Sequence, residues 1–173
     1  MKILQIVLSL VLFITATPLS HAQDFPVPAN YILKAEEDYK KYEQELMATI
    51  TWLEKQPINE YQEERKVANV FMMAWLTGSP YVTIELHGGV LTFSAKNADL
   101  LVTFMGGWTK YALANPEAAD DLTAANLAGL ESVIEVYQLN KGNGMKKDKA
   151  VEKLIALQKD GKLKQWVKNQ LKE

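Results

Sequence analysis

The sequence predicts an all-α fold: a single-domain antiparallel helical bundle of five to six helices, with a small β-hairpin insertion between the second and third. Three observations carry this reading. Apolar residues recur at spacings of three and four along most of the chain after Tyr31. Proline and glycine cut that pattern into helix-sized pieces joined by short connections. The chain has no cysteine, so its core is expected to hold by packing rather than by disulfides.

The first residues stand apart from this pattern. In "MKILQIVLSLVLFITATPLSHAQ", Lys2 precedes an apolar run from Ile3 to Ala16, and Ser20 and Ala22 occupy the small-residue positions of a cleavage site. This predicts a secretory signal peptide over residues 1–22, cleaved after Ala22, and one helical domain over 23–173. The apolar run is shorter than the ~20 residues a membrane span needs, and Pro18 ends it before the small-residue site. No cysteine lies near that site to carry a lipid anchor. The expectation is an exported protein, periplasmic or secreted, and soluble after processing. A chain of about 150 residues suits one core.

Each element follows from local chemistry. Pro26 and Pro28 keep the start irregular. Tyr39, Tyr42, Leu46, Ile50 and Leu53 line one face of a first helix that begins near Tyr31 and closes at Pro57. Asn59 is expected to cap the second, with Gln62 as its capping-box partner. Val67, Val70, Phe71, Ala74 and Trp75 are expected inward, and Gly78 is expected in the left-handed position after the last turn. In "YVTIELHGGVLTF" the alternation of Val82, Ile84 and Leu86, followed by Gly88-Gly89, predicts the hairpin. Asn97 is expected to cap a third helix whose apolar face is Leu100, Leu101, Phe104, Trp108 and Tyr111. A fourth helix starts near Ala124 and carries Leu127, Leu130, Ile134 and Tyr137; a fifth carries Val151, Leu154 and Ile155. A last one, after Asp160-Gly161, carries Leu163, Trp166, Val167 and Leu171.

Gly106 and Gly107 lie side by side inside the third helix. Each costs roughly 1 kcal/mol relative to Ala there, so something must offset about 2 kcal/mol. Close approach of another helix, or a bend, is the expected reason; a ligand-facing backbone is the alternative. The stretches "AWLTGSPYVTIEL" and "FMGGWTKYALANP" resemble a pattern of uncharacterised small secreted helical proteins of bacteria. The resemblance implies a small helical exported module and brings no activity with it.

Charge is uneven. Residues 24–140 hold seventeen acids and eight bases, whereas residues 141–173 hold ten Lys against four acids. A solvated tail, or one packed on its own acidic body, is the plain reading; weak contact of the Lys-rich C-terminal helices with an anionic surface is the sharper one. Arg65 is the only arginine, and nucleic-acid readout favours arginine, so no nucleic-acid partner is expected.

Candidate chemistry is sparse. Glu85 and His87 would share a face of a strand, as a base and its orienter or as two metal ligands, but no further ligands occur at a recognisable spacing. Glu131 and Glu135 read as a solvated helix flank. Asp120-Asp121 lacks a calcium-loop pattern, and Ser79, Ser94 and Ser132 lack a nucleophile context. No metal or cofactor is expected. The expected function is a non-catalytic interaction module of unknown partner, with Trp52, Trp75 and Trp108 as anchor candidates. The alternative is a carrier of a small apolar or amphipathic ligand, held between helices near Gly106, Gly107, Trp108 and the hairpin. A hydrolase-type enzyme using Glu85 and His87 stands lowest.

Overall fold

Seven α-helices and one 3-10 turn make up the computed structural model, which describes residues 25–93 and 95–172. The export leader predicted at 1–22, and Ser94, lie outside these residues. The helices are α1 (Glu36–Lys41), α2 (Glu43–Lys55), α3 (Gln62–Gly78), α4 (Asp99–Ala114), α5 (Leu122–Asn140), α6 (Lys149–Lys159) and α7 (Leu163–Gln170), with the 3-10 turn at Pro116–Ala118. The all-α, single-domain expectation holds, with one core running through every helix.

The predicted first helix is two. Residues 31–35 are irregular, and α1 is set by Asp38, whose carboxylate accepts the backbone N–H groups of Lys34 and Ala35 at 3.0 Å. Those two bonds hold its pKa below the ordinary aspartate value. The chain breaks at Tyr42, whose φ of −100° and ψ of 13° lie outside the helix, so that Tyr39 and Tyr42 both turn onto α3. Tyr39 meets Trp75 edge to face at 6.1 Å, and the Trp75 indole N–H donates to the Tyr39 carbonyl at 2.9 Å.

The predicted caps of α3 and α4 do other work. The helix α3 starts after Tyr61, which sits at φ 52°, and Gln62 Nε2 donates to the Ile58 carbonyl. Asn59 does not cap it; its amide donates to Asn143 Oδ1 at 2.9 Å. Asn97 likewise does not cap α4: its side chain both donates to the Lys146 carbonyl and accepts the Lys146 N–H, each at 3.1 Å. Gly78 is the last residue of α3, with no left-handed φ. Its missing side chain makes room for Tyr39, since a Cβ there would lie 2.0 Å from the Tyr39 hydroxyl oxygen.

The inward face of α3 also differs from expectation. Arg65, Ala68, Phe71, Met72 and Trp75 face the core, while Val67, Val70 and Ala74 face solvent. The helix carries two apolar stripes and only one can be buried. Aromatic rings remove far more apolar surface from water than valines do, so the Phe71–Trp75 stripe wins.

No hairpin forms. Among the described residues there are no strands, and residues 79–93 and 95–98 form an irregular connection. The His87 carbonyl accepts from the N–H groups of Val90 and Leu91, closing a tight local turn instead of a ladder. Val82, Val90 and Phe93 then drop into the core, where Phe93 meets Phe104 at 6.2 Å between ring centroids. A lone two-stranded hairpin is marginal in water; anchoring three side chains between helices replaces it.

Helix α5 is the centre. Asp121 caps it by accepting the Ala124 N–H at 3.0 Å, and α2, α4, α6 and α7 all pack on it. Helix α4 runs unbroken through Gly106-Gly107. A Cβ on Gly106 would lie 2.9 Å from Ile50 Cγ2 of α2; one on Gly107 would lie 2.7 Å from the Ala128 carbonyl oxygen and 2.5 Å from Ser132 Oγ of α5. Gly129 returns the relation, since its Cβ would lie 2.6 Å from the Phe104 ring. The pair is therefore the point where three helices come closest.

A Gly107→Ala variant is expected to lose about 1–3 kcal/mol, because the added methyl meets backbone. Gly106→Ala is expected to lose less, because only the Ile50 side chain stands in its way. Urea unfolding midpoints check the order; a Gly107→Ala protein as stable as the parent would remove close packing as the reason for the pair.

Candidate functional site

The sequence-singled residues separate into core and surface. Trp75 and Trp108 are buried, and Trp52 keeps only 6% of its surface exposed. Trp52 stands between Phe25 at 5.3 Å and Tyr61 at 5.9 Å, both roughly edge to face. Trp108 packs on Phe104 at 6.0 Å, and its Nε1 is buried with no hydrogen-bond partner among the described residues. All three indoles support the fold, and none presents a face to a partner.

Gly106 and Gly107 border two different spaces. A crevice of about 20 Å³ lies beside Gly106, lined by Glu54, Arg65, Asn69, Asp99 and Thr103; that is room for about one water. Arg65 lies at its edge and donates from Nη1 to the Leu53 and Gln56 carbonyls, both at 3.2 Å, closing the end of α2. Burial holds this guanidinium below its ordinary pKa, partly offset by Asp99. An open trough of about 350 Å³ crosses Gly107, with Lys110, Tyr111, Glu131, Ser132 and Glu135 on its walls. Beneath it, Glu54 accepts from Lys110 Nζ at 2.6 Å and from Ser132 Oγ at 2.7 Å. This ties α2, α4 and α5 together, and it spends both the serine proton and the lysine charge on one carboxylate.

Glu85 and His87 do come near each other, with 3.6 Å from Nε2 to Oε2. That exceeds hydrogen-bond reach, and the strand expected to pair them is absent. Among the described residues no three His, Asp or Glu side chains converge as a metal site would require.

The surface the sequence reading missed is the outer face of α3. Val67 is 48% exposed, Val70 62% and Met73 37%, and Ala74 lies exposed in the same stripe. Met73 continues into an open groove of about 230 Å³ whose other walls are Leu76, Val82, Ile84, Leu86 and Met105. Leu86, on its rim, is 51% exposed. Among the described residues, the only ion pair on this face is Lys66–Glu63 at its N-terminal end. The signal was present in the sequence as a surplus: α3 has more apolar positions than one core-facing stripe can hold.

No protein-family model, curated protein or solved structure matches the chain. The site therefore rests on its own geometry.

Two outcomes follow from the polar ties. Lys110→Met is expected to cost about 3 kcal/mol, since it leaves the Glu54 carboxylate, 8% exposed, without its cation. Glu54→Gln is expected to cost about 1–2 kcal/mol, because Lys110, 31% exposed, can turn to water. Chemical denaturation of both variants reads the order, and equal losses would show that the pair is not the buried tie described here.

Burial, followed by the Glu135 charge, raises the Glu131 pKa above its ordinary value. The folded state then holds this proton more tightly than the unfolded state, so ionisation of Glu131 opposes folding. Glu131→Gln is expected to be more stable than the parent at neutral pH. That gain should fade as the pH falls through the raised folded-state pKa and be gone below the ordinary glutamate value of about 4.5. Thermal midpoints across pH test it; a pH-independent difference would contradict it.

Proposed function

We propose that this protein is a non-catalytic interaction module, exported by its leader, that docks a protein partner on the outer face of α3 and the adjoining 81–86 segment. The observation that carries the reading is the row Val67, Val70 and Met73, left in water on a helix whose opposite face is fully packed. Contiguous apolar surface of this kind marks interaction sites. The groove beside it, walled by Leu76, Val82, Ile84 and Met105, offers a receptacle for an apolar side chain of the partner. The anchors are the α3 residues and Leu86 rather than the three tryptophans.

The carrier reading has less support. The crevice beside Gly106 has room for one water, and the grooves beside Gly107 and Met73 are open at the surface. Among the described residues, no third His, Asp or Glu joins Glu85 and His87 to complete an enzyme site.

Covering the exposed parts of Val67, Val70, Met73 and Leu86 contributes on the order of 1 kcal/mol each. A photo-crosslinking residue in place of Val70, in cells that make the protein, is expected to trap one defined partner. Val67→Asp in the same background is expected to abolish trapping while leaving the thermal midpoint unchanged, because Val67 is exposed. Absence of any trapped species, or trapping that Val67→Asp does not reduce, would end this reading.

A further inference from the structure

The C-terminal helices carry a second surface of a different kind. They pack on α5 through Val151, Leu154, Leu163 and Val167, and every lysine from Lys141 to Lys172 is exposed. Elsewhere the lysines of the helices are largely paired, as in Lys40–Glu43, Lys66–Glu63 and Lys110–Glu54. In this stretch only Lys141, on Glu152, and Lys162, 3.9 Å from Asp160, have a carboxylate within reach among the described residues. The acidic body does not neutralise the others.

Their placement also runs against local preference. Lys164, Lys168 and Lys172 follow at intervals of four, and so do Lys149 and Lys153; like charges at this spacing repel. Helix α7 has no acid in its first turn, where Lys164 faces the positive end of the helix. Their exposed charge, largely without an internal partner among the described residues, suits an anionic surface outside the molecule.

We propose that the lysine face of α6 and α7 docks on the anionic headgroups of a lipid bilayer. The charge is spread along two helices lying side by side and their connecting turns, which suits an extended surface better than a pocketed ligand. It consists wholly of lysine, a point charge attracted by charge density, rather than arginine, whose fork reads a shaped phosphate site. The apolar faces of both helices are used in the core, so the contact is peripheral. Among the described residues no helix is long and apolar enough to cross a membrane.

The test is co-sedimentation of the chain, as a cell produces it, with phosphatidylcholine vesicles with and without phosphatidylglycerol. Binding only to the anionic vesicles, weakening as salt rises, is expected. The triple variant Lys164→Gln, Lys168→Gln, Lys172→Gln is expected to bind on the order of 10- to 100-fold more weakly. Lys40→Gln, on the opposite charge balance of the body, is expected to bind as the parent does. Equal binding to both vesicle types, no binding, or a triple variant that binds like the parent would overturn the proposal. Salt-sensitive self-association, or capture by soluble polyphosphate without vesicle binding, would reassign the face and overturn it as well. Val67→Asp should leave vesicle binding untouched, so failure here is distinct from failure of the α3 interface.

Discussion

The architecture depends on how closely α4 approaches its two neighbours at Gly106-Gly107. A single added methyl at Gly107 would overlap backbone of α5, and one at Gly106 would overlap Ile50 of α2. The helix gives up about 2 kcal/mol of propensity for this, and dense packing of three helices offsets it. The same gap permits a polar link. Ser132 Oγ occupies space that a Gly107 side chain would fill, and from there it reaches Glu54, which also holds Lys110. Close packing and the buried tie are one arrangement.

Around this centre, three irregular connections are held by buried polar side chains rather than by secondary structure. Asn140 Oδ1 accepts the Ile58 N–H at 2.7 Å and fixes the link between α2 and α3. Asn97 pairs with the Lys146 backbone and fixes the entry to α4. The Tyr137 hydroxyl accepts the Asp148 N–H and donates to Glu152, both at 2.9 Å, joining α5 to α6. Such groups are strong constraints because an unmatched buried partner costs its full desolvation. The long connection between α3 and α4 is ordered differently, by Val82, Val90 and Phe93 buried in the core.

The molecule offers two contrasting faces: an apolar one on α3 and a cationic one on α6 and α7. The first suits a partner that supplies apolar side chains, and the second suits a surface of anionic charge. They involve different helices, so the two proposed contacts use different surfaces.

The sequence by itself determined the helical class and most helix positions, and it marked the glycine pair as a place of close approach or of ligand-facing backbone; the structure added the Asp121 cap of α5 and decided for packing. Helix periodicity, proline stops and the cost of glycine are local properties, and they are readable locally. It also showed the basic C-terminal end. Only the tertiary structure decided which stripe of α3 is buried, because Val67–Val70 and Phe71–Trp75 compete for one core and the outcome depends on what faces them. Only it decided that Asn59 and Asn97 bond to residues far along the chain instead of capping helices, since a side-chain amide serves either purpose equally. The alternation in residues 81–86 suggested a strand, but a strand needs a partner ladder, and Val82, Val90 and Phe93 found the helix core first.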